Sequence, residues 1–437
     1  MKKEKVSDFR YDTGPARIPW SAVGEKIKFQ DIMEILKFLI PPKKDKVKKY
    51  RTQIKRVEKE IKKLIENSNL AGKLTLGEKV AQLEEEVKKF LNCKYAVFLT
   101  NATAGFEIAY KFADLKPGDE VIAPAITFIA TISYPLSIGA KVVLADIDPR
   151  TLNMDPEDVA RKVTKKTKVI VPVHIGGYPC DMSAIMDIAK KFNIVVLEDA
   201  AHAFGAVYEG KMIGTIGHFG AFSFHEVKNI TSLGEGGILV TNEDVGREFP
   251  KARFVGFNIE NPIPLWLYDV TALKWRGDYF APGNHSATEI QAVALLSQMK
   301  RLDKIIEKRR KAAEYLNERF KNIKGIITPP LDDEKIKSTH HLYLFQVDPN
   351  LLNGDIQKVK EKMAEKGITQ IPHFAPLYRF SIMKQLGYDT EKIKETCPNA
   401  EEVFLHRFTH LPLYDFKKED LKYMADSIIE IIKEMQK

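Results

Sequence analysis

From residue 76 onward, apolar runs of strand length alternate with amphipathic helical stretches, and few folds accommodate that order. The periodicity predicts a helix over Leu76–Leu91, a strand over Tyr95–Thr100, a helix over Thr103–Phe112, a strand over Val121–Pro124 and a helix over Ile129–Ile138. Strands follow at Lys141–Ile147, Lys168–His174 and Ile194–Asp199, the last preceded by a helix at Met182–Phe192. Apolar strands that alternate with helices bury both faces of a mostly parallel sheet. Ligands of such sheets bind beyond the carboxyl ends of the strands, so the chemistry is expected there.

The pattern changes at about residue 265. Helices at Ala287–Leu302, Ile305–Phe320, Ile356–Lys366 and Lys418–Met435, with strands near His341–Val347 and Ile368–His373, predict a smaller α+β domain. The expected organisation is an N-terminal segment over 1–75, a large α/β domain over 76–264 and a small domain over 265–437.

Net charge is +9, which suggests a nucleic-acid partner until it is localised. Residues 43–63 hold eleven Lys/Arg and three Asp/Glu, a net of +8, so the rest of the chain carries only +1. The basicity therefore belongs to one segment rather than to a groove across the fold. Within it, Val47, Tyr50, Ile54, Val57, Ile61 and Leu64 step by three and four residues, a heptad seam. Such a seam wants one partner helix, in this chain or another copy. A surface helix packed on the body and a partner-docking helix are both open readings, followed by a nucleic-acid or anionic-surface role. Upstream, Ile18–Glu25 has the character of a turn and Ile27–Ile40 has helical spacing, ended by Pro41 and Pro42. No apolar run reaches the length of a membrane span and no signal-peptide core follows the basic start, so a cytoplasmic chain with no membrane partner is expected. Cys93, Cys180 and Cys397 lie far apart and match no metal spacing, so no metal site is expected.

Against this background residues 218–242, HFGAFSFHEVKNITSLGEGGILVTN, stand out. Two strands flank a polar turn and a glycine-rich bend, and the turn carries one lysine, Lys228. Burial disfavours the ammonium form, and a neutral amine can attack an aldehyde. Three strand ends carry further polar residues. In Thr100-Asn101-Ala102-Thr103-Ala104-Gly105 a strand enters a helix, either as an ordinary N-cap by Asn101 or Thr103 or as a phosphate site. Glu198-Asp199-Ala200-Ala201-His202 ends an apolar strand, where an acid needs a partner: a salt bridge or a protonated pyridine nitrogen. Ser223 ends the strand before Lys228 and can add a hydroxyl to a phosphate cup.

The order of these motifs (Asn101-Ala102-Thr103, Thr127-Phe128, Glu198–His202, Ser223-Phe224-His225 with Lys228-Asn229, and Gly234–Gly237) resembles the DegT/DnrJ/EryC1/StrS sugar aminotransferases. The likeness runs from about Ile18 to the C-terminus, interrupted by the basic segment at roughly 41–69. It implies an aspartate aminotransferase-like fold (fold type I) and pyridoxal 5′-phosphate (PLP) as cofactor. Lys228 matches the lysine that joins the cofactor and moves its protons. Asp199 matches the partner of the pyridine nitrogen, His202 a residue near the 3-hydroxyl, and Phe128 the aromatic that stacks on the ring. Ala102 and Thr103 match the phosphate-binding turn, Ser223 the phosphate serine, and Asn284 an asparagine that reaches the other subunit's phosphate. The chain departs from the family at Ala102, where glycine is usual, and at Pro282-Gly283-Asn284-His285, where the cross-dimer loop differs.

The resemblance implies a homodimer with shared active sites, in which glutamate or glutamine donates an amino group to a keto-sugar, most often nucleotide-linked. His174, His225, His341, His373 and Arg379 are candidate substrate contacts, each equally open to a structural role. Amination of a keto-cyclitol is an alternative. A nucleotide-sugar 3-dehydratase ranks low because those relatives carry histidine where Lys228 stands. A non-catalytic docking protein fits poorly with Lys228, Asp199 and Ser223 all in place.

Overall fold

The computed structural model describes residues 27–68, 70, 73–369, 374–413 and 416–437. It divides into two compact units, one up to Gly77 and one over Glu78–Lys437. Ile18–Glu25 lies outside the described residues.

The first unit is a helical hairpin of α1 (Phe29–Leu39) and α2 (Val47–Glu66). Pro41 and Pro42 prevent α1 from running on, and a single turn at Lys44–Lys46 starts the return. The side of α2 that carries Glu58 and Lys62 faces α1, while Val57 and Leu64 of the expected heptad seam stay exposed. Lys37 of α1 pairs with Glu58 at 3.3 Å, and Lys62 lies 4.9 Å over the Phe29 ring. The seam stays shallow, because no α2 residue is fully buried.

The second unit begins with α3 (Glu78–Leu91), whose Val80, Leu83, Val87 and Leu91 form one buried stripe. Seven strands make its central sheet: β1 (Tyr95–Leu99), β2 (Glu120–Pro124), β3 (Lys141–Ala145), β4 (Thr167–Ile170), β5 (Val195–Asp199), β6 (Phe219–Ser223) and β7 (Gly237–Thr241). Their spatial order is β1-β7-β6-β5-β4-β2-β3. All neighbours pair in parallel except β7, which runs antiparallel to both β1 and β6. The predicted α/β class with a mostly parallel seven-stranded sheet is thus observed.

Helices α4 (Ala102–Phe112), α5 (Ala130–Ser137), α6 (Pro156–Lys162) and α7 (Met182–Phe192) connect the parallel strands. Two apolar layers result, one holding Phe98, Ile170, Val196 and Phe222, the other Val97, Val169, Leu197 and Phe219. Adjacent residues of a strand fall in different layers because side chains alternate across a sheet.

Farther along, α8 (Glu289–Met299) and α9 (Leu302–Phe320) lead to a three-stranded antiparallel sheet of β8 (Ile326–Ile327), β9 (Tyr343–Val347) and β10 (Phe408–Leu411). Helices α10 (Ile356–Glu365) and α11 (Lys418–Met435) pack on it around Phe320, Phe345, Ile428 and Ile432. The predicted strand at Ile368–His373 is not observed at Ile368 and Thr369, and its remainder lies outside the described residues. The place beside β9 is taken by β10, which pairs Tyr343 with Leu411 through Gln346 with Phe408.

Candidate active site

The site assembles at the carboxyl ends of β1, β5 and β6. At the end of β5 the two neighbouring acids have opposite fates. Glu198 is sealed and accepts the amides of Gly214, Ile216 and Gly217 at 2.6–2.8 Å. Its remaining contact is His174 Nε2 at 3.2 Å. Asp199 points to the other face of the sheet, as alternation requires. It is also buried, yet among the described residues it receives only the Thr131 hydroxyl at 2.7 Å and the Ala201 amide at 3.2 Å. A carboxylate has about four lone-pair sites, so Asp199 keeps room for a further N–H donor. Burial lifts its carboxyl above the usual range, against the pull of those two hydrogen bonds and of Lys228.

Lys228 sits half-buried in the turn between β6 and β7. The turn is tied at several points. The Lys228 amide donates to the His225 carbonyl at 2.9 Å, the Glu226 amide to Gly234 at 2.9 Å and the Phe224 amide to Gly236 at 2.7 Å. Burial pushes the Lys228 amine down to about 8, with Asp199 pulling the other way. A minor neutral fraction therefore exists near neutral pH, far above that of an ordinary lysine, as a nucleophilic amine requires.

At the end of β1, Asn101 is the N-cap of α4, and its Oδ1 accepts the Ala104 amide at 2.9 Å. The amides of Ala102 and Thr103 lie in the first turn, where no intrahelical acceptor exists. The N-cap and phosphate-site readings of this turn are therefore compatible. Gly237 explains part of the glycine-rich bend. A Cβ there would stand 2.2 Å from the Asn101 carbonyl carbon and 2.4 Å from the Ala102 nitrogen. Only a glycine lets β7 support the turn this closely. Ser223 ends β6, and its hydroxyl accepts the His225 amide at 3.3 Å.

His202 follows Asp199 by three residues and takes the Gly176 amide on Nδ1 at 3.3 Å. Its ring lies 4.6 Å from that of His341 and 5.7 Å from Phe374. Phe128 presents an exposed ring, 64% accessible, just before α5. Asn284 is also exposed and accepts the Ser286 amide at 3.1 Å. Its loop is anchored at the end of β1, where the Thr100 amide donates to the His285 carbonyl at 3.0 Å.

The proposed substrate contacts separate clearly. His174 has no exposure, and both its ring nitrogens are engaged. The Cys180 amide donates to Nδ1 at 3.0 Å, so the ring proton sits on Nε2 and faces Glu198. His174 is therefore a core residue, and the substrate role is withdrawn. Arg379 donates to both oxygens of Glu401 and lies 5.1 Å over the Phe404 ring, which gives its partly exposed guanidinium a structural role. His225 braces the lysine turn through the Val227 amide at 3.4 Å and stands 3.6 Å from Glu235. His341 remains beside His202. His373 lies outside the described residues.

Two participants escaped the sequence reading. Thr131 uses its proton on Asp199, so the Thr127 hydroxyl at 3.0 Å donates to it and completes a chain Thr127–Thr131–Asp199. Tyr110 fixes the same segment by donating to the Thr131 carbonyl at 2.7 Å. The available signal was the pair of hydroxyls four residues apart around Phe128. The second is Asn229, next to Lys228. Its Nδ2 donates to the Thr339 carbonyl at 3.1 Å, so its Oδ1 accepts from His341 Nδ1 at 2.9 Å.

The residues fit PLP. Asp199 has vacant acceptor capacity and a buried charge to balance, Lys228 offers an amine of depressed basicity, and the α4 turn offers amides and hydroxyls for a phosphate. Fold and site thus define an aminotransferase of the mostly parallel α/β type. The chain belongs to the DegT/DnrJ/EryC1/StrS aminotransferase family, which it matches over residues 55–429. The family and its structural neighbours are PLP-dependent aminotransferases, and this chain is an enzyme of that kind.

It is 35% identical over 375 residues to the spore coat polysaccharide biosynthesis protein SpsC of Bacillus subtilis, covering 84% of this chain and 92% of that one. It is 31% identical over 370 residues to UDP-4-amino-4-deoxy-L-arabinose–oxoglutarate aminotransferase of Shewanella sediminis, covering 83% and 92%. Among solved structures it is similar to Helicobacter pylori PseC, an aminotransferase involved in the biosynthesis of pseudoaminic acid, with TM-score 0.73, 26% identity and coverage of 85% and 95%. Among the described residues no helix is long and apolar enough to cross a membrane.

Proposed function

We propose that this chain binds PLP at Lys228 and transfers an amino group from glutamate or glutamine to a keto-sugar linked to a nucleotide. The observation that carries the reading is the placement of a half-buried Lys228 in the turn that leaves β6, with the buried Asp199 at the end of the neighbouring strand β5. When bound, PLP supplies the electron sink for nitrogen transfer. Asp199, oriented by Thr131, holds the pyridine nitrogen protonated through its charge. The first-turn amides of Ala102 and Thr103 and the Ser223 hydroxyl would hold the phosphate, and the Phe128 face would cover the ring. His202, fixed by the Gly176 amide, would serve the 3-hydroxyl. Lys228 takes up and returns the substrate proton at Nζ, since an amine titrating near 8 does both at neutral pH. The exposed Asn284 serves the phosphate of a second copy, which makes a homodimer with shared sites the working assembly.

The likeness to an enzyme whose name pairs a UDP-amino-sugar with oxoglutarate supports a nucleotide-sugar acceptor and a glutamate-type donor. The test is transfer of ¹⁵N from labelled glutamate, and separately from amide- or amine-labelled glutamine, to a panel of UDP- and TDP-linked keto-sugars, with a free keto-cyclitol alongside. The reading expects label in a nucleotide-sugar product. Label only in the cyclitol product moves the assignment to cyclitol amination, and label in none of them overturns it.

A further inference from the structure

The first unit carries two surface features that the reaction does not use. One is an apolar tip. At the end of α1, Phe38 is 83% exposed, Ile40 58%, Leu39 53% and Ile35 52%. The other is a basic ridge on α2. Lys48, Arg51, Lys55, Arg56 and Lys59 recur at helical spacing and line one shallow surface. None of these five has a carboxylate partner among the described residues. The tip is joined to the ridge by the turn, where Lys43, Lys44 and Lys46 are exposed as well.

We infer that this hairpin docks the enzyme on an anionic lipid bilayer: the tip enters the boundary between headgroups and acyl chains, and the ridge lies against the headgroups. A bilayer surface is one partner that accounts for both features. Peripheral helices combine a dense Lys/Arg face with large apolar residues, and need no spanning segment. The absence of a spanning run, which pointed away from membranes, therefore does not bear on this mode of binding. A nucleic acid would match the ridge and leave Phe38, Leu39 and Ile40 in water, and α2 offers only Tyr50 for base stacking. A partner helix would use the α2 seam, four of whose six residues (Val47, Tyr50, Ile54 and Ile61) are already partly buried. Charge complementarity is strong, because the segment carries nearly all of the protein's net charge. The family match begins only at residue 55, so α1, the turn and the start of α2 lie outside it.

The test is co-sedimentation of the full chain with vesicles of phosphatidylcholine alone or mixed with phosphatidylglycerol, at low and high sodium chloride. The chain is expected to pellet with the mixed vesicles, to remain in solution with the neutral ones and to be released by salt. Each basic residue at such a surface contributes a factor of about five to partitioning. The Lys48→Glu/Arg51→Glu/Lys55→Glu variant loses three such contributions and adds repulsion, so it is expected to bind at least about 100-fold less well. Phe38→Ser/Leu39→Ser is expected to lose about tenfold or more through the apolar term alone. Both variants alter exposed positions, and unchanged circular dichroism melts confirm that they fold.

No pelleting at low salt, or equal pelleting with neutral vesicles, overturns the inference. So does a duplex or single-stranded oligonucleotide that binds more tightly than the vesicles and ignores Phe38→Ser/Leu39→Ser. A change of oligomeric state in that variant, seen by sedimentation velocity, assigns the tip to a second copy instead.

Discussion

Replacing Thr131 with valine removes one hydroxyl from a fully buried site and keeps the shape of the side chain. The hydroxyl makes a 2.7 Å hydrogen bond to Asp199, one of the two that favour its ionised form. A hydrogen bond to a charged group contributes about 1.5–3 kcal/mol, and one pKa unit is about 1.4 kcal/mol, so the Asp199 carboxyl should rise by about one to two units. Burial already holds that carboxyl above its ordinary range. The acid limb of kcat/KM for the donor half-reaction should therefore move toward neutral pH by about one to two units in Thr131→Val. Thr131→Ser keeps the donor and should leave the limb in place.

Stability supplies a second readout with a definite sign. A carboxyl whose folded pKa is raised contributes stability that is present below its unfolded pKa and is lost as pH rises through the folded one. Thr131→Val raises the folded value further, so its cost to the apoenzyme should be larger at pH 8 than in acid, where Asp199 is protonated in both states. An acid limb that stays where it is, with a melting difference independent of pH, would refute the assignment of Thr131 as the residue that tunes Asp199.

Other consequences follow from the same geometry. PLP capture by the apoenzyme requires the neutral amine, so its rate should rise with pH through about 8 rather than near the ordinary lysine value, measured by stopped-flow absorbance. Gly237→Ala drives a Cβ into the Asn101–Ala102 peptide, so PLP affinity should fall by about 100-fold, while inorganic phosphate no longer protects the apoenzyme in thermal melts. His174→Ala leaves the Cys180 amide without its acceptor, takes one of two donors from Glu198 Oε2 and opens a buried cavity, and should cost about 2–4 kcal/mol of stability in denaturant titration with the acceptor KM unchanged. Arg379→Met breaks a partly exposed pair with Glu401 and should cost about 1 kcal/mol or less, again with KM unchanged.

How much of this was readable in the chain depends on distance along it. The alternation of apolar runs placed Asp199 at a strand end and Lys228 between two strands, because strand periodicity is a local property. The same periodicity separates Glu198 from Asp199 onto opposite faces. What could not be read were partners brought together by the fold. Thr131 and Asp199 are 68 residues apart. Asn229 and His341 are 112 residues apart. His174 looked available until Cys180 and Glu198 closed on its ring, and Arg379 gave no sign of its pairing with Glu401. In the small sheet, β10 is only four residues long, Phe408–Leu411, and follows a wide helical turn at Val403–Arg407. A run that short gives no periodicity, and its pairing with β9 is tertiary.

The central claim is that Lys228 is the residue to which PLP becomes covalently attached. The most direct measurement is borohydride reduction of the PLP-loaded protein, followed by proteolysis and mass spectrometry of the modified peptide, with Lys228→Ala in parallel. The account predicts a single stoichiometric label on Lys228 that is absent from the variant and is prevented by prior incubation with the amino donor, glutamate or glutamine. A label on another lysine, or an equal label in Lys228→Ala, would contradict it.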